Sequence, residues 1–378
     1  MIKKILLGSA AVLALGTSAQ AADPIAVALD TCDLLNITGL TISSETDCLK
    51  ITGNVSFEWT WQTNAATTDA DLDWALKAAS TANSDFGPAM AVIELRELDD
   101  DVHVGANAQA VVLENAYVSI GDAAATVLSA GKKGSIAKDG DDETFTALFD
   151  LDGMDGNDEG IALTGDTGGY VLQVSSSLGD GVNGALGLED LGDADNASLV
   201  GAIGVSQSWG TAHATFVYDD LISNAVNNWG FHTGATFNLD NAKIRGAFST
   251  DQASVWTALI SAQATFDMFT LAAGAEFQAA NQWEAAISGV AKVDDNVTLT
   301  AAVRLEDGNL WDVALKGAFK VSDTLTASAK INFDEASVTT LNTDLDWAPG
   351  GGTTVNVGFN ASSTGATSVS TKFAKTFE

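Results

Sequence analysis

From Ile51 the chain alternates. Ile51, Gly53, Val55, Phe57, Trp59 and Trp61 take one parity, and Thr52, Asn54, Ser56, Glu58 and Thr60 take the other. Period two with one apolar and one polar face is the pattern of a half-buried strand. It returns late in the chain. Val297, Leu299, Ala301, Val303 and Leu305 alternate with Thr298, Thr300, Ala302, Arg304 and Glu306. Trp311, Val313, Leu315, Gly317 and Phe319 then alternate with Asp312, Lys316 and Lys320. Leu325, Ala327, Ala329, Ile331 and Phe333 follow, against Thr324, Thr326, Ser328, Lys330 and Asn332. Every charge in these three strands lies on the polar parity.

A longer period overlies the short one. Trp229, Trp256, Trp283 and Trp311 recur at steps of 27, 27 and 28 residues. Short turns fall between or just beyond them, at Asp240-Asn241, Asp267-Met268, Asp294-Asp295 and Ser322-Asp323. Such a step is one β-hairpin of two roughly ten-residue strands, the length a tilted strand needs to cross a bilayer. The four tryptophans therefore mark one rim of a sheet, placed outside, and Trp209, Phe266, Phe269 and Trp347 mark the inner one. A soluble sandwich gives the same alternation. Aromatics collected at strand ends, and Ala and Gly where a core would want Leu and Ile, favour an all-β transmembrane antiparallel β-barrel. Counting hairpins gives an even number of strands between about 16 and 20, with Asp69 to Gln109 the hardest stretch to divide.

Composition supports one sheet. The texture is uniform from Cys48 to Phe377, and the whole chain has three prolines, as suits strands that must all donate to a ladder. The first residues read as a signal peptide, 1–21. Lys3 and Lys4 form its basic start, Ile5 to Leu15 its apolar run, and Ala19-Gln20-Ala21 its cleavage site. An N-terminal segment, 22–48, and the barrel, 49–378, follow. No later run of about 18 apolar residues could form a membrane helix. Cys32 and Cys48 are the only cysteines. In an oxidising compartment they predict a disulfide closing a short loop before the first strand; a metal reading lacks further ligands nearby. Without Lys3 and Lys4 the chain has 15 basic and 50 acidic residues, a net −35. That excludes a nucleic-acid partner, which needs clustered cations, and also suits plain solubility in a salty medium.

The stretch Ala116-Tyr117-Val118-Ser119-Ile120-Gly121 through Val127-Leu128-Ser129-Ala130-Gly131-Lys132-Lys133 resembles the fourth and fifth strands of bacterial porins. Cys48-Leu49-Lys50-Ile51-Thr52-Gly53, Gly168-Gly169-Tyr170 and Val205-Ser206-Gln207-Ser208-Trp209-Gly210 are similar to alphaproteobacterial porins in particular. The resemblance spans most of the chain on loose motifs. It implies 16 strands, a third loop folded into the pore, and passive diffusion of small hydrophilic solutes and ions. It also implies a homotrimer in the bacterial outer membrane, with outer-membrane lipid and lipopolysaccharide as surroundings. The chain departs from the family at its end, Phe377-Glu378, where the aromatic itself is the usual last residue.

The chemistry is expected between Gly134 and Gly160, an acidic insertion placed where the resemblance puts the constriction loop. Its carboxylates are Asp139, Asp141, Asp142, Glu143, Asp150, Asp152, Asp155, Asp158 and Glu159, against Lys138. Lys243, Arg245, Lys292, Arg304, Lys316 and Lys330 take the polar parity of their strands. Lys132 or Lys133 joins them by the resemblance, alternation not deciding which. An acidic loop across from a basic wall sets up a transverse field that selects among ions. Each cation could equally solvate the wall and pair with a neighbouring carboxylate. The acid excess predicts a cation-preferring pore. Asp150, Asp152, Asp155 and Asp158 also sit on a Gly-containing turn of the kind that binds calcium, but Met154 breaks the EF-hand spacing and a solvated loop is the simpler reading. No other cofactor is expected. His103, His213 and His232 are isolated, and no nucleophile elbow, zinc cluster or phosphate loop points to an enzyme. The rival reading is a secreted, acidic, calcium-dependent adhesin or surface β-protein, whose β-roll form predicts solubility without detergent.

Overall fold

A computed structural model describes residues 31–378 apart from 64–66, 98–110, 138–139, 142, 150, 152–167, 193–196, 220, 222–227 and 280. The expected signal peptide, 1–21, lies outside the described residues. A helical turn, α1 (Thr31–Leu34), and a short strand, β1 (Thr41–Ser43), come first. Then follow β2 (Asp47–Gln62), β3 (Thr67–Ser84), β4 (Gly87–Glu97), β5 (Val111–Gly121), β6 (Thr126–Lys132), β7 (Tyr170–Gly179) and β8 (Val182–Glu189). Next are β9 (Ser198–Gln207), β10 (Gly210–Tyr218), β11 (Trp229–Asn238), β12 (Ala242–Asp251), β13 (Trp256–Phe266), β14 (Phe269–Gln278) and β15 (Trp283–Lys292). The last are β16 (Val297–Glu306), β17 (Leu310–Ser322), β18 (Leu325–Asp334), β19 (Thr339–Gly350), β20 (Thr353–Ser362) and β21 (Thr367–Phe377).

Each strand from β2 to β21 pairs antiparallel with the next, and β21 returns to β2 from Gly53↔Phe377 to Gln62↔Ser368. Among the described residues this is a closed ring of 20 strands. The even count and the upper end of the hairpin estimate hold; the 16 strands implied by the porin resemblance do not. The stretch that alternation divided worst holds two long strands. Residues 67–84 and 87–97 form the β3–β4 hairpin, where Ala75, Ala78, Ala79 and Ala82 blur the contrast between faces.

The parity read from sequence is the parity of the wall. Val55, Phe57, Trp59 and Trp61 are exposed on the outer face of β2, as are Ile260, Ile287, Leu299 and Leu315 on their strands. Their neighbours Ser56, Ser261, Ser288, Ala302 and Ala314 point inward and are buried. An apolar exterior around a polar interior is the solution a bilayer imposes on a closed sheet. Trp229, Trp256, Trp283 and Trp311 stand at the starts of β11, β13, β15 and β17, on one rim. Phe266 and Phe269, paired across a two-residue turn, share the other rim with Trp209 and Trp347. Connections at that second rim (85–86, 122–125, 180–181, 208–209, 239–241, 267–268, 293–296, 323–324 and 351–352) have two to four residues. The first rim carries 133–169 and the other long ones, so it faces outward from the cell.

The seam is reinforced at the inner rim. Cys32 and Cys48 form a disulfide, with Cys48 inside β2 rather than ahead of it. β1 pairs with β2 at Thr41↔Lys50 to Ser43↔Cys48, continuing the edge that β21 leaves at Gly53. Leu40 N donates to Glu378 O at 2.9 Å, and Ile51 N donates to Leu40 O at 3.0 Å. Gly53 is glycine for a local reason: a Cβ there would lie 2.6 Å from Phe377 Cζ, so the last aromatic lies over a bare strand.

Candidate functional site

The described residues of the segment between β6 and β7 (133–137, 140–141, 143–149, 151 and 168–169) lie along the inner wall of the ring. The wall meets them with side chains. Asp141 is a hub: Thr211 Oγ1 donates to both its carboxylate oxygens at 2.9 Å, and Thr236 Oγ1 donates to Oδ1. His213 Nδ1 lies 3.6 Å and Arg245 Nη2 3.9 Å from the same group. Further along, Phe145 N donates to Ser261 Oγ at 2.9 Å and Ala147 N to Ser288 Oγ at 2.8 Å. These hydroxyls occupy inward positions where a larger side chain would hold the loop off, and they satisfy backbone donors that leave water on docking.

Phe149 then sits on a shelf of Ala286, Ala302 and Ala314 from three consecutive strands. It is 7% exposed, a burial that contributes roughly 1.5–3 kcal/mol to holding the loop down. Cationic side chains surround the two rings. The Arg245 guanidinium is 4.5 Å from the Phe145 centroid, Arg304 is 5.3 Å from that of Phe149, and Lys330 Nζ 5.7 Å from it. Arg245 also donates to Glu143 O at 2.9 Å. Arg304 is ringed by carboxylates: Asp312 at 2.8 Å, Glu306 at 2.9 Å and Glu284 at 3.4 Å.

Among the predicted residues, Lys243, Arg245, Lys292, Arg304, Lys316 and Lys330 all take the inward parity, with Lys316 and Lys330 directly opposite across β17 and β18. Arg245, Arg304 and Lys330 lie against the loop rather than across an open slot from it. Lys133, not Lys132, turns inward. Lys133 Nζ donates to Gln173 Oε1 at 2.7 Å and lies 5.5 Å from the Tyr117 ring. Burial lowers the pKa of its ammonium, with the Glu189 carboxylate acting in the opposite sense. Lys132 has the outward parity of Leu128 and Ala130 and donates to Leu113 O, so it leaves the wall set. Asp141 and Glu143 are placed as described. Asp139, Asp142, Asp150, Asp152, Asp155, Asp158 and Glu159 lie outside the described residues, and with them the whole calcium set; among the described residues no group of three or more His, Cys, Asp or Glu side chains could hold a metal.

The rest of the ring is also charged inside. Lys77–Glu94 at 3.3 Å, Arg96–Glu114 at 2.8 Å and Lys372–Glu58 at 3.3 Å form ion pairs there. Asn342, Asn356, Asn360, Asp344 and Asp346 line β19 and β20 on the same face. Sequence reasoning missed the loop's partners: Thr211, Thr236, Ser261, Ser288, Gln173 and Glu189. Parity marks each of them as inward, but nothing local says which inward hydroxyl meets the loop. It also treated the histidines as isolated. His213 and His232 sit on adjacent strands, with Nε2 and Nδ1 3.0 Å apart; His103 lies outside the described residues.

A closed barrel, apolar outside and polar inside, with described loop residues laid along its inner wall, is a transmembrane β-barrel of the bacterial outer membrane. The chain is similar to Porin Omp2b of Brucella suis, 26% identical over 289 residues, 68% of this chain and 72% of the relative. No family model matches it. Similar solved structures include a loop-deletion mutant of OmpT, an outer membrane protein of Vibrio cholerae (12% identity, 88% of this chain and 100% of that one, TM-score 0.44). A mutant of Rh. blastica porin is another (13% identity, 87% and 100%, TM-score 0.43).

Proposed function

We propose that the chain forms a water-filled pore for passive diffusion of small hydrophilic solutes and ions across the outer membrane, with a preference for cations. The observation that carries the preference is how the wall cations are held. Arg245 and Arg304 are covered by loop aromatics and bound to carboxylates, and Lys77, Arg96 and Lys372 are each paired with a glutamate. Their fields are largely cancelled at contact, while the chain as a whole carries −33. A mobile cation entering such a lumen meets the uncancelled part of that charge. Three copies assemble, by the porin resemblance, so that conductance rises in triplets.

The test is single-channel recording of the refolded protein in a planar bilayer under a salt gradient. Stepwise openings with a cation-selective reversal potential are expected. An anion-selective potential overturns the charge argument. A protein that stays soluble without detergent and never inserts overturns the pore, and favours the secreted adhesin.

A further inference from the structure

We infer that Glu189 is the positioning residue of the constriction, a carboxylate that clamps both arms of the inward loop at its neck; the inference rests on the pore reading above. Glu189 ends β8 and is fully buried, at 0% exposure. Its Oε1 accepts from Ile136 N at 2.9 Å, and its Oε2 accepts from Gly168 N at 2.7 Å. Ile136 is on the outgoing arm and Gly168 on the returning one, 32 positions later. One side chain therefore bonds to both arms of a long excursion, just past the point where the β6–β7 ladder ends with Lys133 N donating to Gly169 O at 2.9 Å.

The neighbours fix the clamp's direction. Gln173 Nε2 donates to Glu189 Oε1 at 2.8 Å and to Gly134 O at 2.9 Å, while its own oxygen is held by Lys133 Nζ. That contact orients the amide so that its nitrogen faces Glu189. All three groups facing the carboxylate, Ile136 N, Gly168 N and Gln173 Nε2, are donors. An ionised carboxylate satisfies them, since hydrogen bonds to a charged acceptor are the strong ones. The floor of the site is bare for the same purpose. A Cβ on Gly187 would lie 3.1 Å from Glu189 Oε1 and 3.2 Å from both Gln173 Cγ and Ile136 Cδ1.

This donor-only surround makes Glu189→Gln diagnostic. Glutamine has nearly the same shape, so a residue that merely fills space tolerates it. Here its NH2 must point at another donor, and at least one arm of the loop is released. In planar bilayers, Glu189→Gln is expected to raise open-channel current noise severalfold and to shift the polymer size that the pore excludes. Its heat-modifiable gel mobility stays that of the wild type, because the ring closes without the loop. The double variant Glu189→Gln with Gln173→Glu returns a carboxylate to the site beside Lys133 and is expected to recover part of the quiet current. Glu189→Gln channels that match the wild type in noise and exclusion size, from a folded barrel, overturn the inference.

A second measurement needs no variant. In the wild-type protein the amides of Ile136 and Gly168 should exchange with deuterium about tenfold to a hundredfold more slowly than unbonded loop amides. Exchange at the unbonded rate overturns the clamp. Wild-type protein that forms no channels, yet protects those two amides, overturns the pore reading and leaves the clamp standing.

Discussion

Replacing Arg304 with methionine keeps most of the stem's volume and removes the charge. The guanidinium lies within 3.4 Å of Glu284, 2.9 Å of Glu306 and 2.8 Å of Asp312. Glu284 is the decisive partner, with its side chain 1% exposed against 26% for Arg304. Breaking a buried pair by removing one member costs about 3–5 kcal/mol, because the other charge loses that partner; Glu284 keeps a further interaction of its own. Lumen water reaches Arg304 and partly hydrates Glu306 and Asp312, so the lower end, about 3 kcal/mol, is expected here. Neutralising Glu284 first should remove much of that penalty. In a Glu284→Gln background the methionine substitution should cost less by roughly 1–2 kcal/mol, the coupling typical of residues in one ionic network. The assay is reversible urea unfolding in detergent micelles, followed by tryptophan fluorescence, for wild type, both single variants and the double. Equal costs of Arg304→Met in the two backgrounds, within about 0.5 kcal/mol, would refute the claim that Arg304 is there to compensate Glu284.

Three further outcomes are expected. Removing the disulfide with Cys32→Ser and Cys48→Ser, a closure across 16 positions, should cost the N-terminal segment about 3 kcal/mol. Hydrogen exchange should then lose protection at Leu40 and Ile51 while the β2–β21 pairing keeps it, and a global loss of the barrel would contradict that division. Calorimetry with calcium should give no binding heat, as the loop around Asp150, Asp152, Asp155 and Asp158 is read as solvated; saturable heat abolished by Asp152→Asn would reverse that reading. Ser261→Ala together with Ser288→Ala leaves Phe145 N and Ala147 N without their acceptors, and should raise open-channel noise without changing the ion preference. A quiet channel from that pair would mean that the loop's other contacts hold it without these two bonds.

How much was legible follows from which forces act locally. Parity, rims and the inward set of cations came from alternation, since one lipid-facing side chain per two residues is enforced at every strand. Lys316 and Lys330 were placed that way, and Lys132 could have been had the parity of Leu128 been extended to it. The strand number was harder. Where Ala75, Ala78, Ala79 and Ala82 occupy both faces, no contrast exists to count. The loop's seat was out of reach for a different reason. Asp141 meets Thr211, Thr236 and Arg245 across 70 to 104 positions of chain, and Glu189 joins residues from both arms of an excursion. A carboxylate that clamps a loop and one that faces water look alike in sequence. Only the register of neighbouring strands separates them.

The aromatic residues of the loop carry a consequence for selectivity that its carboxylates do not. Phe149 occupies the alanine shelf and covers Arg304 and Lys330. An aromatic face over a cation both attracts it and excludes water from it. Phe149→Ala removes the cover and opens the shelf, while Phe149→Leu keeps an apolar plug of similar reach. The alanine variant should expose Lys330 to the lumen, with Arg304 still held by its three carboxylates, and lower the ratio of cation to anion permeability; the leucine variant should stay close to wild type. Salt gives the internal control. At 0.1 M the screening length is about 10 Å and at 1 M about 3 Å, so the difference between the two variants should be plain at low salt and nearly vanish at high. If all three proteins share one permeability ratio at 0.1 M, the covered cations do not matter to the passing ion, and the preference must be set at the uncovered carboxylates along β19 and elsewhere in the ring.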